Sequence, residues 1–155
     1  MNMLSLLKPK ALLDFAYTDN SVRQVLERLK NHGYTAIPVI DRDGRYVTTV
    51  TEGDILRYML KNDILDLKDM ERVPITDIDI RGKNRPVYIT SGMDELILLS
   101  MEQNFVPVID DRNVFSGIIT RRDILQYCYN TISDYRKAVE LGKIKENEYE
   151  QVQTQ

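Results

Sequence analysis

The chain has 155 residues, 43% of them hydrophobic and 29% charged, with a formal net charge of −3 at pH 7. This length supports one cooperative core or two half-size units sharing one, and the lack of a basic excess argues against wholesale nucleic-acid binding by counterion release. No apolar run approaches the ~18 residues of a membrane helix. Met1 to Leu7 is too short for a leader and runs into Lys8-Pro9-Lys10, so the expectation is a soluble cytoplasmic protein without membrane contact. A single cysteine, Cys128, excludes an internal disulfide, fits a reducing compartment and reads as a small core residue.

In chain order, Leu12 to Thr18 is extended and reads as a short strand. Asn20 and Ser21 open a helix whose apolar positions Val22, Val25, Leu26 and Leu29 share one face, closed by Asn31-His32-Gly33. Tyr34 to Ile40 is the next strand, Asp41 to Gly44 a hairpin turn, and Tyr46 to Val50 the returning strand. At Thr51 the period changes to helical and continues to about Leu60. Asp63 to Arg72 reads as a short connecting helix ended before Pro74, followed by a basic run, Arg81-Gly82-Lys83-Asn84-Arg85. Val87 starts a second set of elements. The helix from Asp94 to about Gln103 is apolar almost all round, which predicts burial on two sides. Val106 to Ile109 and Phe115 to Ile119 form a hairpin across the turn cluster Asp110 to Asn113, and a last helix runs from Thr120 to about Leu141. Lys143 to Gln155 is polar and reads as a solvated tail.

The two halves are copies. A shift of 69 positions lays Ile37 to Tyr58 on Val106 to Tyr127, with nine of the 22 positions identical: Pro38, Val39, Ile40, Asp41, Thr51, Asp54, Ile55, Leu56 and Tyr58 match Pro107, Val108, Ile109, Asp110, Thr120, Asp123, Ile124, Leu125 and Tyr127. An ungapped match of this density marks a tandem duplication. The segment Gly117 to Asp123, Gly-apolar-apolar-Thr-x-x-Asp, after a Pro-Val-Ile-Asp strand and with a copy upstream, resembles the CBS domain, a module that occurs in tandem pairs. The resemblance covers roughly residues 10 to 130 and departs at Thr48, which stands where the first copy should carry glycine. It implies an α+β fold of two tandem CBS repeats, each strand-helix-strand-strand-helix, packed into one pseudo-twofold module. The expected organisation is repeat 1 over 10–62, a connector over 63–84, repeat 2 over 85–130, and a C-terminal helix and tail over 131–155. The resemblance also implies a homodimer formed through helices, the apolar helix from Asp94 among them.

Candidate binding residues follow from the motif. Asp54 and Asp123 each sit in the first turn of a helix, where a carboxylate gains roughly 0.3 to 1 kcal/mol from the helix dipole. That stabilisation alone explains them. By resemblance, Thr51 with Asp54, and Thr120 with Asp123, would hold ribose hydroxyls of an adenine nucleotide. Arg121 and Arg122 replace Glu52 and Gly53 of the first copy. Two cations at the positive end of a helix oppose its dipole and make sense beside a bound phosphate, the bland alternative being a solvated pair. Tyr34, Thr35 and Ala36 offer a ring to stack on a purine and strand-end groups to read its edge, or simply cover the core. These two stretches look like those of small stand-alone bacterial CBS proteins that bind cyclic di-AMP, in which they line one cleft. Such relatives add a basic residue near the first strand, for which Lys10 is the nearest candidate.

One histidine and one cysteine assemble neither a nucleophilic triad nor a metal site, so no catalytic residue, metal or cofactor is expected. The reading is a non-catalytic sensor for an adenine nucleotide, cyclic di-AMP first and then AMP, ADP or ATP. Resemblance suggests a stringent-response or metabolic enzyme as the regulated partner. A ligand-free CBS scaffold for dimerisation is the alternative, and an enzyme acting on a nucleotide the third.

Overall fold

The structure, a computed structural model, describes residues 3–80 and 84–142. Arg81 to Lys83 of the basic run, and the tail from Lys143, lie outside the described residues. The chain divides into two compact units, 1–121 and 122–155.

In the first unit, β1 (Lys8–Pro9) and β2 (Ala16–Tyr17) precede α1 (Val22–His32), β3 (Ala36–Ile40), β4 (Tyr46–Thr51) and α2 (Glu52–Lys61). Then come β5 (Val87–Tyr88), α3 (Met93–Glu102), β6 (Phe105–Ile109) and β7 (Phe115–Thr120), and α4 (Arg121–Glu140) runs on into the second unit. The order β2-α1-β3-β4-α2 is thus repeated as β5-α3-β6-β7-α4. Two sheets result, one of order β2-β3-β4 and one of order β1-β7-β6-β5. In each, the first strand of the repeat pairs parallel to the second and the hairpin pairs antiparallel. Even the irregularity is copied, since the register shifts between Val39 and Ile40 in one hairpin and between Val108 and Ile109 in the other.

Local sequence explains the elements. Ser21 and Gln24 form a reciprocal capping box at the start of α1, and Gly33, at φ 64°, closes that helix in the left-handed conformation, which costs a residue without Cβ little. Val22, Val25 and Leu29 then face a core with Ile37, Val39, Val50, Ile55, Met70 and Ile75. The connector departs from expectation. Instead of a helix over 63–72 it makes two short 3₁₀ turns, Asp69–Arg72 and Ile75–Asp77. Asp63 is left-handed (φ 52°), and Asp66 accepts from Lys68 through its side chain and from Asp69 through its carbonyl, local bonds that compete with helix. Met70, Ile75 and Ile78 anchor the segment in the core. In α3, Leu96, Leu99 and Ser100 are buried, whereas Leu98 and Met101 are 64% and 71% exposed. Within one chain this helix is therefore covered on one side only.

The sheets differ at one edge. β1 lies antiparallel against β7 with Pro9 opposite Gly117, and a Cβ on Gly117 would meet the Lys8 carbonyl oxygen at 2.2 Å. Only glycine admits that strand. The three-stranded sheet has no equivalent of β1, and Thr48 stands there instead, its buried hydroxyl without a hydrogen-bond partner among the described residues. Gly117→Ala is expected to lower unfolding stability by about 2 to 4 kcal/mol through this clash. Thr48→Val should raise it by up to about 1 kcal/mol by removing an unsatisfied polar group. Urea denaturation of both variants checks the contrast.

Candidate functional site

A cleft of about 310 Å³ opens between the two repeats within the first unit, lined by Lys8, Leu13, Asp14, Gly33 to Ala36, Pro38, Asn104, Phe105, Ile118 and Thr120. Its position follows from the duplication. Thr35 and Ala36 open β3, Asn104 and Phe105 are their counterparts 69 residues on, and these two strand starts face one space. Glu52 N–H donates to the Thr35 carbonyl at 3.0 Å and Arg121 N–H to the Asn104 carbonyl at 2.9 Å, so each strand start is tied to the helix that follows its hairpin. Leu13, Ala36, Pro38, Phe105 and Ile118 supply apolar walls of the kind that sandwich a flat ring. Lys8, Asp14, Thr35, Asn104 and Thr120 are the polar residues of the lining.

Of the sequence candidates, Tyr34, Thr35, Ala36 and Thr120 are thereby brought together. Arg121 N–H binding is accompanied by its guanidinium Nε, which donates to the carbonyls of Ser100 (2.6 Å) and Gln103 (3.2 Å); this anchors the arginine at the end of α3. Arg122, exposed, and Asp123, half-buried, occupy the first turn of α4. Thr51 and Asp54 are not among the residues lining the cleft. Asp54 is 1% exposed, and its carboxylate accepts from the Thr51 backbone N–H (2.9 Å), the Thr51 hydroxyl (2.7 Å) and the Arg57 guanidinium. The pair forms a complete capping box with the buried charge neutralised by Arg57.

The pseudo-equivalent of the cleft is built differently. Gln103, the counterpart of Tyr34, uses its side-chain amide to clasp the Arg85 backbone, accepting from its N–H at 2.9 Å and donating to its carbonyl at 3.1 Å. The Phe105 carbonyl, counterpart of that of Ala36, accepts from the side chains of Gln103 and Asn84, each at 3.3 Å. Tyr46 donates its hydroxyl to the Asn84 carbonyl at 2.9 Å and shares a hydrogen bond with Thr49, also at 2.9 Å. Side chains of the chain itself thus take the groups that a ligand would need.

Sequence reasoning missed Lys8, Asp14, Asn104 and Phe105. For the last two a signal existed, since the repeat offset maps them onto Thr35 and Ala36. Lys10, the basic candidate, does not line the cleft; its amine sits 5.1 Å above the Phe15 ring. Among the described residues no cluster of three or more His, Cys, Asp or Glu could hold a metal ion, and no helix is long and apolar enough to cross a membrane.

Two homologous strand-helix-strand-strand-helix units, with a cleft bounded by the strand starts of both, define a tandem-repeat architecture, and comparison with known proteins makes the class explicit. The chain belongs to the CBS domain family, whose model matches residues 14–61 and 75–130. It is 32% identical over 112 residues to cyclic di-AMP receptor B of Bacillus subtilis (strain 168), an alignment covering 69% of this chain and 72% of the relative. Among solved structures it is similar to CbpB in complex with c-di-AMP, with 25% identity, a TM-score of 0.75, and 88% and 90% of the two chains covered. CbpB from Streptococcus agalactiae gives 25% identity and a TM-score of 0.73, with 87% and 84% covered.

Burial pushes the Tyr46 phenol up from 10.0 to about 12, against a smaller opposing effect of its hydrogen bond with Thr49. The folded state therefore favours the neutral phenol, and this contribution to stability is complete below about pH 10 and is lost as pH rises towards about 12. Tyr46→Phe is expected to cost about 1 to 2 kcal/mol at neutral pH through its lost hydrogen bonds, and to lose less further stability than the wild type over that alkaline window. Denaturant titrations at stepped pH measure both effects.

Proposed function

We propose that the cleft binds an adenine nucleotide, with cyclic di-AMP the first choice and AMP, ADP and ATP next, and that the chain is a non-catalytic sensor whose occupancy is read by a partner protein. The observation that carries this reading is the convergence of Tyr34, Thr35 and Ala36 of one repeat with Asn104, Phe105 and Thr120 of the other around an apolar slot with Lys8 at its edge. The apolar walls suit a purine face, the strand-start backbone suits its edge, and the lysine suits a phosphate. Arg122 and Asp123 belong to the proposal on chain order, as the second and third residues after Thr120; Arg122 would meet phosphate and Asp123 with Thr120 a ribose. Arg121 joins them through the part of its guanidinium that its anchoring to α3 leaves over. The similarity to cyclic di-AMP receptor B and to CbpB supports the choice of first ligand. Thr51 and Asp54 are assigned to holding the start of α2, since their polar atoms are satisfied within the chain.

A homodimer is part of the reading. Leu56 and Leu60 on α2 are exposed, and so are their counterparts Leu125 and Tyr129 on α4, as are Leu98 and Met101 on α3. Repetition of the same apolar pair at the same helical spacing in both copies indicates a face meant for burial. A nucleotide that bound two arrangements of this assembly with different affinity would shift their populations, which is the signal a partner, expected to be a stringent-response or metabolic enzyme, would detect. The same faces favour a second reading, a scaffold whose assembly needs no ligand.

Thermal unfolding separates the two. A nucleotide at a hundred times its dissociation constant adds about 2.7 kcal/mol, or very roughly 5 to 10 °C for a domain of this size. The expected result is such a shift with cyclic di-AMP or one of the mononucleotides, much reduced in Lys8→Ala and Arg122→Ala. Absence of a shift with every nucleotide would leave the scaffold.

A further inference from the structure

Asp14 lines the cleft, and its side chain is 17% exposed. One carboxylate oxygen accepts from the Arg28 guanidinium at 2.6 Å and from the Phe15 backbone N–H at 3.0 Å; the other lies 3.1 Å from Nε2 of His32. The imidazole of His32 in turn stacks on Tyr34, with ring centroids 5.3 Å apart and planes 21° from parallel. Gly33, left-handed at φ 64°, is the joint between the two rings, and Tyr34 N–H reaches back to the Leu29 carbonyl at 2.9 Å. The end of α1, the segment before β2 and the start of β3 therefore meet through Asp14, Arg28 and His32, whose side chain is 48% exposed.

Imidazole is the side chain that changes charge between about pH 5 and pH 8. Among the described residues, the charged or titratable groups set against His32 are Asp14, Arg28, which shares that carboxylate from one turn earlier on α1, and the Tyr34 phenol ring. With His32 neutral, Asp14 and Arg28 cancel. With His32 protonated the cluster carries one net positive charge, the contact with Asp14 becomes charge-assisted, and the ring on Tyr34 becomes a cation over an aromatic face. An anionic ligand in the cleft would favour the charged form of the cluster.

We infer that His32 is a positioning residue that makes nucleotide affinity proton-linked: its protonated form, paired with Asp14, holds Tyr34 at the cleft and places positive charge beside the ligand. This rests on the nucleotide-binding reading of the same cleft. The test is calorimetric titration with cyclic di-AMP, whose phosphodiesters keep their charge in the window used, from about pH 8 down to about pH 5.5, on the wild type and on His32→Gln, which keeps a donor at the Nε2 position and cannot titrate. Since His32 is the only histidine, its Cε1–H resonance can be titrated in the free and saturated protein. Affinity is expected to rise about three- to tenfold as pH falls, with proton uptake on binding, a titration midpoint for His32 that is higher in the complex, and a flat profile for His32→Gln. The same pH slope in both proteins, or one midpoint for His32 with and without ligand, overturns the inference while leaving nucleotide binding intact. No binding by the wild type at any pH would overturn both.

Discussion

The contact between β1 and Gly117 is the constraint on which the asymmetry of this molecule depends. A two-residue strand has little stability of its own, and β1 is held because the missing Cβ at Gly117 lets the Lys8 carbonyl come where a side chain would stand. That docking brings the segment from Lys8 to Asp14 across to the second hairpin and sets it along one cleft, where Lys8 and Asp14 meet Ile118 and Thr120. The first hairpin carries Thr48 at the equivalent position and, among the described residues, has no such strand. A duplicated sequence has thereby become a molecule with two unlike clefts.

The consequence is chemical as well as geometric. At the first cleft, Thr35, Ala36, Asn104 and Thr120 line open space. At its pseudo-equivalent, Gln103, Asn84 and Tyr46 occupy the carbonyls and hydroxyls that a base or ribose would seek, and Asp54 is neutralised by Arg57 rather than offered to a ligand. Displacing these groups would leave buried donors, and a carboxylate at 1% exposure, to be satisfied again, a cost on the order of 1 to 3 kcal/mol for each group. The two sides of the duplication thus differ in how the chain's own side chains are placed against the strand starts.

Much of this was legible in the sequence. The repeat offset, the turn at Gly33, the change of period at Thr51 and Thr120, and the residues Tyr34 to Ala36 all report local chemistry, and local chemistry decides caps, turns and strand starts. The expected connector helix does not form because, although Leu65 and Leu67 suggest an amphipathic face, Asp63 takes the left-handed conformation and Asp66 bonds to the backbone of Lys68. Lys8 rather than Lys10 lines the cleft because the strand ends at Pro9 and Lys10 already belongs to a 3₁₀ turn that carries its amine over Phe15, an ending that so short a strand does not announce in sequence. The pairing of Asp14 with His32, and the filling of the second cleft by Gln103, depend on residues distant in sequence, so no spacing rule announces them. Thr48, noted as a departure from the motif, proved to be the mark of that asymmetry.

On the proposed function each chain has one nucleotide cleft, the pseudo-equivalent region being occupied by the chain's own side chains. Calorimetric stoichiometry at saturating cyclic di-AMP tests it most directly. One ligand for each chain is expected, with the count unchanged by Asp54→Asn. Two ligands for each chain, or a count that falls by half in Asp54→Asn, would contradict it.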